Sequence, residues 1–164
     1  MSNGTSHQHA HEIRLGLVMY GGVSLAVYIN GVASELFRAS RGRGVYRLLK
    51  ELTDSDVAVD VVSGTSAGGI NGILLGFALC NQREFGPSTE IWREGADINR
   101  LLRNPGDGNF SSLLDSENVY QPRLEQVLAR IWATPIDEPD DDATPVRELD
   151  LFVTGTDYNG RLST

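Results

Sequence analysis

The chain has 164 residues, of which 40% are hydrophobic, and it carries a formal net charge of −8 at pH 7. This length allows one domain or part of a larger one, and the apolar fraction is sufficient for a buried core. The acidic balance argues against nucleic acid as a partner. One cysteine, Cys80, excludes an internal disulfide, and its position in an apolar segment predicts a buried thiol.

The amino terminus is typical of a disordered tail followed by a strand. Residues 1–12 lack the apolar core of a signal peptide, and no segment has the uninterrupted apolar length of a membrane span. We therefore expect a cytoplasmic protein or one at the periphery of a membrane. Residues 13–19 (IRLGLVM) predict a buried first strand, and Gly21-Gly22 predict a tight turn directly after it.

Two helices are predicted next. Residues 23–40 are apolar nearly all round as far as Val32, which predicts a largely buried helix, and Gly31 within it indicates close backbone packing. The Arg-Gly-Arg-Gly segment at 41–44 ends this helix. Residues 45–52 then predict a short amphipathic helix, whose apolar residues share one face: Val45, Leu48, Leu49 and Leu52.

The central segment, residues 57–80, predicts a strand, a sharp turn and a helix. Its first part is rich in β-branched valines, which suit a buried strand. The turn, Gly64-Thr65-Ser66-Ala67-Gly68, has the spacing G-x-S-x-G of a nucleophile elbow. The two glycines avoid clashes in so sharp a turn, and Ser66 is expected at its tip. The helix that begins at Ala67 directs free N–H groups at the same point, where an oxyanion requires donors.

Other interpretations of this glycine-rich turn stay open. It is compatible with a plain tight connection or with a phosphate-binding turn. A dinucleotide fingerprint fits less well, because Gly64, Gly68 and Gly69 do not follow the G-x-G-x-x-G spacing, and the absence of Gly-Lys-Ser/Thr excludes a Walker loop.

The remainder of the chain predicts two helices, an acidic loop and a third strand. A helix is expected from Ser88 to about Arg103, with core residues Ile91, Trp92, Ile98, Leu101 and Leu102. A second is expected at residues 122–133, with inward residues Leu124, Val127, Leu128 and Ile131. The acidic loop at 137–144 is expected to be poorly ordered and dispensable. Residues 149–156 predict the third strand.

Strands that alternate with helices predict an α/β fold with a parallel sheet covered on both faces. The working site of such a sheet lies at the carboxyl ends of its strands. Right-handed crossovers would bring the Gly21-Gly22 turn and Ser66 to this one edge. The base that would activate Ser66 is not evident, because no histidine follows it. Three candidates for this base stay open: a carboxylate, a lysine, and a histidine outside this chain.

Three segments of the sequence resemble the patatin-like phospholipases. Gly64 to Gly68 matches the nucleophile elbow of that family. Gly16 to Gly22 is similar to its first strand and oxyanion loop, and residues 153–157 (VTGTD), with Gly160, resemble its strand with a Thr-Asp pair. The likeness extends over residues 13–164. It implies a three-layer α/β/α domain, of which this chain is expected to hold only the amino-terminal part.

The resemblance also implies a chemistry. Patatin-like enzymes hydrolyse lipid acyl esters with a Ser-Asp dyad, without a metal or cofactor. Ser66 would be the nucleophile, and Gly21, Gly22, Val23 and Ala67 would form the oxyanion hole. The catalytic aspartate of the family belongs to an Asp-Gly turn after the Thr-Asp strand, which residues 1–164 do not contain. Asp157 resembles the strand aspartate, which is not the base, and we expect this chain to be inactive alone.

The loop departs from the family pattern at three positions. Val23, Leu25 and Ala26 replace a glycine, an arginine and a glycine, so a cation that could meet a lipid head group is missing. The expected partners are a lipid or ester substrate, a membrane surface and a second copy of the chain. Two other functions stay open: an acyltransferase with the same acyl-serine chemistry, and a non-catalytic lipid-binding domain.

Overall fold

The computed structural model of the chain describes residues 10–22, 24–95, 102–103, 106, 114–136, 146 and 148–156. The elements in chain order are β1 (His11–Met19), α1 (Ala26–Ser40), α2 (Val45–Thr53), β2 (Ser55–Thr65), α3 (Ala67–Cys80), α4 (Ser88–Gly95), a π-helical segment (Ser116–Tyr120), α5 (Gln121–Ala133) and β3 (Asp150–Thr154).

The described strands form one parallel sheet in the order β1-β2-β3, with the valine-rich β2 at its centre. The register of β1 on β2 runs from His11 opposite Ser55 to Met19 opposite Gly64. It shifts by one residue between Leu15 and Gly16, where β2 bulges. Neighbouring parallel strands need crossover connections. Helices α1 and α2 lie in the connection from β1 to β2, and α3 begins the connection from β2 to β3.

The hydrophobic core lies between the sheet and the helices. Val59 and Val62 of β2 are 2% and 0% exposed, and they belong to the same buried cluster as Leu74, Leu75 and Leu79 of the apolar helix α3. Helix α3 is apolar on nearly all sides because α1 packs against it as well as the sheet. This arrangement explains why its sequence shows no polar stripe.

Helix α2 approaches the sheet from the opposite face. Asp56 and Val59 point to opposite faces of β2, since side chains alternate along a strand. Lys50 Nζ of α2 lies 3.0 Å from Asp56 Oδ1, and the Lys50 side chain is only 3% exposed. The parallel α/β fold with helices on both sides of its sheet, predicted from the sequence, is therefore confirmed.

Most predicted elements are present, with shifted ends. β1 begins at His11, so the last two residues of the predicted tail belong to the strand. The first helix begins at Ala26, three residues later than predicted, and β2 begins at Ser55, two residues earlier. Helix α5 buries Val127 and Ile131 as expected, but a π-helical segment that the sequence did not predict precedes it.

The predicted burial of α1 is wrong in part. Val27, Tyr28 and Val32 of α1 are 49%, 69% and 42% exposed. A Cβ built on Gly31 would meet no atom within 4 Å, so this glycine permits no close packing. Apolarity alone did not reveal which side of α1 is covered. The side with Asn30, Ala33 and Phe37 is buried, whereas Gly31 lies on the exposed side.

The apolar face of α2 is also exposed to solvent. Its four apolar residues, Val45, Leu48, Leu49 and Leu52, are 62%, 54%, 47% and 73% exposed. Lys50 is buried instead, because its amine pairs with Asp56 and donates to the Ser40 carbonyl at 3.3 Å. With Lys50 turned toward the sheet, the apolar stripe on the other side of α2 faces away from it.

Two further predictions of burial are wrong. Cys80 is exposed, because it is the last residue of α3, although partial desolvation still raises the pKa of its thiol. Leu102 is 43% exposed, and it forms an isolated bridge to Leu114 outside α4, which ends at Gly95. Ile91 and Trp92 are buried as predicted. Ile98, Leu101, the acidic loop, Asp157 and Gly160 lie outside the described residues.

Candidate active site

The two glycine turns lie side by side at the carboxyl edge of the sheet. Met19, the last residue of β1, is paired with Gly64 near the end of β2. Because the strands are parallel, the segments that follow them leave the sheet at the same edge. The loop at 20–22 therefore runs beside the turn that carries Ser66.

Ser66 stands at the tip of a sharp strand-to-helix turn. It follows the last residue of β2 and is the N-cap residue of α3, with φ 52° and ψ −125°. A positive φ is uncommon for a residue with a side chain and marks local strain. Ser66 is exposed, and its hydroxyl makes no capping hydrogen bond to α3. The Oγ atom is thus presented at the surface rather than used to close the helix.

Two glycines make this turn sterically feasible. A Cβ on Gly64 would lie 2.6 Å from the carbonyl carbon and oxygen of Gly68. A Cβ on Gly68 would lie 2.2 Å from the Met19 carbonyl oxygen and 2.8 Å from that of Tyr20. Real Cβ contacts are not this short, so both positions require glycine for the backbone segments to approach.

The first glycine turn contacts Ser66 directly. A Cβ on Gly21 would lie 2.8 Å from the Ser66 Cβ and 3.5 Å from its Oγ. Gly22 has φ 138°, a conformation that side chains rarely allow, and its carbonyl accepts a hydrogen bond from Leu25 N at 3.1 Å. The loop therefore bends back toward α1 immediately beside the serine. Val23, the third predicted oxyanion-hole residue of this loop, lies outside the described residues.

The start of α3 concentrates positive potential near Ser66. The first hydrogen bond of this turn runs from Ile70 N to the Ser66 carbonyl at 3.1 Å. The N–H groups of Ala67, Gly68 and Gly69 thus have no acceptor within the helix. They add to the positive end of the helix dipole, which favours an anion at this point.

A buried polar network lies one helical turn below the site. Asn71 of α3 is fully buried, and its Nδ2 donates to the carbonyls of Ala67, at 3.1 Å, and Ala26, at 3.3 Å. Its Oδ1 accepts from Asn30 Nδ2 at 3.1 Å and from Trp92 Nε1 at 2.9 Å. All four hydrogen-bonding positions of the amide are therefore filled.

Residues of α4 complete the network around Asn30. Asn30 Nδ2 also donates to Ser88 Oγ at 2.9 Å, and Thr89 Oγ1 donates to Asn30 Oδ1 at 3.1 Å. From the sequence, Ser88 was predicted only to begin a helix, and no role was predicted for Asn30, Asn71 or Thr89. Asn30 and Asn71 share a signal that could have found them. Each is an asparagine four residues after the first residue of an apolar helix.

An apolar groove begins beside the glycine loop. It has a volume of about 350 Å³ and lies between β1 and α1. Val18 of β1 and Val32 and Leu36 of α1 line it, together with Tyr20 and Leu25 of the loop between them. Tyr20 precedes Gly21, so one end of the groove lies next to the turn that contacts Ser66.

The side chains with shifted pKa values lie outside the two turns that carry Gly21 and Ser66; they are Arg14, Tyr46, Asp60, Cys80 and Tyr120. Asp60 is held in its ionised form by Arg14, whose Nε donates to Asp60 Oδ2 at 2.6 Å, and this bond lowers the pKa of the Asp60 carboxyl.

The described residues contain no cluster of histidine, cysteine and acidic side chains that could hold a metal ion. Within the same residues, no helix is long and apolar enough to cross a membrane.

The structure thus brings Gly21, Gly22, Gly64, Ser66 and Gly68 together, with the amide of Ala67 beside them. Their roles in chemistry stay predictions. What the arrangement offers is an exposed hydroxyl on a strained turn, free backbone donors and a neighbouring apolar groove.

Comparison with known proteins identifies the family. The sequence matches the family of patatin-like phospholipases over residues 17–134. It is also 31% identical, over 178 aligned positions, to an uncharacterized membrane protein of Mycobacterium tuberculosis. That alignment covers 93% of this chain but only 16% of the relative. No solved structure matches the chain. The match covers β1 from Leu17, the glycine loop, the elbow and the helices through Thr134, and the chain belongs to the patatin-like phospholipase family.

Proposed function

We propose that this chain carries the nucleophile and the oxyanion loop of a lipid acyl hydrolase, with Ser66 as the attacking residue. The observation that carries the proposal is the position of Ser66, exposed at φ 52° between the start of α3 and Gly21. This geometry is that of a nucleophile elbow, and family membership supports ester hydrolysis as its use.

The proposed reaction is acyl transfer to water through a covalent intermediate. Ser66 Oγ attacks the ester carbonyl carbon while its proton passes to a base. The tetrahedral oxyanion is held by backbone N–H groups of Gly22, Val23 and Ala67. The C–O bond to the alcohol then breaks, and the alcohol leaves with a proton. Water attacks the acyl-serine in the second half-reaction, which releases the carboxylic acid and restores the serine.

The proposed base is an aspartate that residues 1–164 do not supply. The resemblance to patatins assigns it to an Asp-Gly turn beyond the third strand, and none follows β3 in this sequence. General-base assistance contributes about 10²–10⁴-fold to rate. We therefore expect residues 1–164 alone to be slower than the full natural protein by at least this factor.

The groove beside the glycine loop supports an ester with an apolar acyl chain. None of the described residues that line it is charged, so a hydrocarbon chain bound there would desolvate no charged group. Leu25, in place of the arginine usual in the family, removes a cation near the reacting group. A lipid ester taken from a membrane surface fits these features, as does the description of the relative as a membrane protein.

The experiment is ester hydrolysis by the full natural protein and its Ser66→Ala variant. We expect loss of p-nitrophenyl ester hydrolysis and of covalent labelling by a fluorophosphonate, with the label found on the peptide that contains Ser66. Ser24→Ala is a matched control, because Ser24 is an exposed serine in the neighbouring loop. A Ser66→Ala protein that keeps its activity, or a label found elsewhere, would remove Ser66 from the mechanism.

A further inference from the structure

Two helices begin at the candidate active site, and their relative position decides whether it is assembled. Helix α1 begins at Ala26, just after the glycine loop, and α3 begins at Ala67, just after Ser66. The donors of an oxyanion hole must lie about 3 Å from the oxygen they hold. A contact that joins the first turns of both helices therefore sets the distance between the loop and the nucleophile.

Asn71 makes such a contact. Its Nδ2 donates to the carbonyl oxygens of Ala26 and Ala67, which are the first residues of the two helices. The amide orientation is determined, because the indole of Trp92 is only a donor and must face Asn71 Oδ1. Asn71 is 0% exposed, so water does not compete for these bonds.

Asn30 supports this contact from the other helix. It lies four residues after Ala26, as Asn71 lies four residues after Ala67, and the two side chains are joined at 3.1 Å. Ser88 and Thr89 of α4 bind Asn30 in turn. The pair is therefore fixed on both sides, and neither amide is free to rotate without breaking several buried bonds.

We propose that Asn71 is a positioning residue that holds the oxyanion loop against the Ser66 turn. This inference rests on the proposed function. Asn71 does not touch the substrate. It acts through the carbonyls of Ala26 and Ala67, and thus on the backbone donors that precede α1 and begin α3.

The test uses Asn71→Asp and Asn71→Ala in the full natural protein. Aspartate has the shape of asparagine and accepts from Asn30 and Trp92, but it cannot donate to the two carbonyls. A displacement of about 1 Å at a reacting group costs up to about 10²-fold in rate. We expect kcat to fall by about 10–100-fold with KM little changed.

A second measurement separates positioning from lost stability. A trifluoromethyl ketone mimics the tetrahedral intermediate, whereas the alcohol product does not. We expect the variants to bind the ketone more weakly by the same factor as the fall in kcat, and to bind the alcohol as before. The matched control is Leu79→Ala, a buried change in the same helix α3 but remote from its start. It should be destabilised yet keep its kcat at a temperature where it is folded.

If neither Asn71 variant folds, Asn71→Ser replaces them. Helical serine can still bond the carbonyl four residues earlier, that of Ala67, but it cannot reach Ala26. Folded variants with an unchanged kcat, or with a change in KM alone, would overturn the proposal. So would a Leu79→Ala protein that loses kcat to the same extent. Retained activity in Ser66→Ala would instead refute the proposed function, so the two failures are distinguishable.

Discussion

Replacement of Gly68 by alanine tests the closest backbone approach at the candidate site. A Cβ at this position would lie 2.2 Å from the Met19 carbonyl oxygen, 2.6 Å from its carbonyl carbon and 2.8 Å from the Tyr20 carbonyl oxygen. All three atoms belong to the backbone at the end of β1, so no side chain can rotate away. Relief requires that the start of α3 move away from the sheet.

The expected cost follows from this lack of relief. Adding a single group to a well-packed interior costs about 1–3 kcal/mol of stability. The cost is at the upper end of this range where the surrounding atoms cannot move, as for the backbone atoms near Gly68. We therefore expect Gly68→Ala to lower the free energy of unfolding by about 3 kcal/mol. The measurement is urea unfolding of the chain, followed by circular dichroism, with the midpoint and slope compared with those of the unchanged protein.

Gly31→Ala is the matched control. It is the same substitution in α1, where the added Cβ would meet no atom within 4 Å. Alanine within a helix is more favourable than glycine by about 0.5–1 kcal/mol, so this variant should gain that much stability. A shift of stability in the same direction for both substitutions, or a change of less than about 0.5 kcal/mol for Gly68→Ala, would refute a steric requirement for glycine at position 68.

Three further predictions concern other parts of the molecule. Val32→Trp should fill the groove beside the glycine loop and reduce the preference for palmitate over butyrate esters in kcat/KM by at least about tenfold, and an unchanged preference would show that acyl chains lie elsewhere. Lys50→Ala should destabilise the chain by about 3 kcal/mol, because it leaves the largely buried Asp56 carboxylate without this ion pair, while Arg47→Ala on the exposed side of the same helix should change thermal stability little. Arg14→Gln should raise the pKa of the Asp60 carboxyl toward its ordinary value in a carboxyl NMR titration. The stabilisation from this pair is present above the pKa of the unfolded state and is lost as pH falls through the lowered folded-state pKa, so the stabilities of the two proteins should converge in acid.

Local chemistry was enough to predict the centre of the fold. The valines of β2 and the apolar run of α3 specify a strand and a helix by their own preferences, and the glycines at 64 and 68 specify the sharp turn between them. Parallel pairing then follows from the alternation of strands and helices, and it places both glycine turns at one edge. These features depend on residues close together in the chain, so the sequence alone was sufficient to predict them.

The tertiary structure decided which apolar faces are covered and which glycines are necessary. Gly31 and Gly68 are both glycines within a helix, but of the two only Gly68 lies against the backbone of another segment. Helix α2 turns Lys50 toward Asp56 of the sheet, and its apolar stripe is exposed. The bond of Asn71 to Ala26 joins residues 45 positions apart. Such contacts depend on how elements pack, and the free energy of packing is shared among residues distant in the chain, so the pattern within one element does not predict its partners.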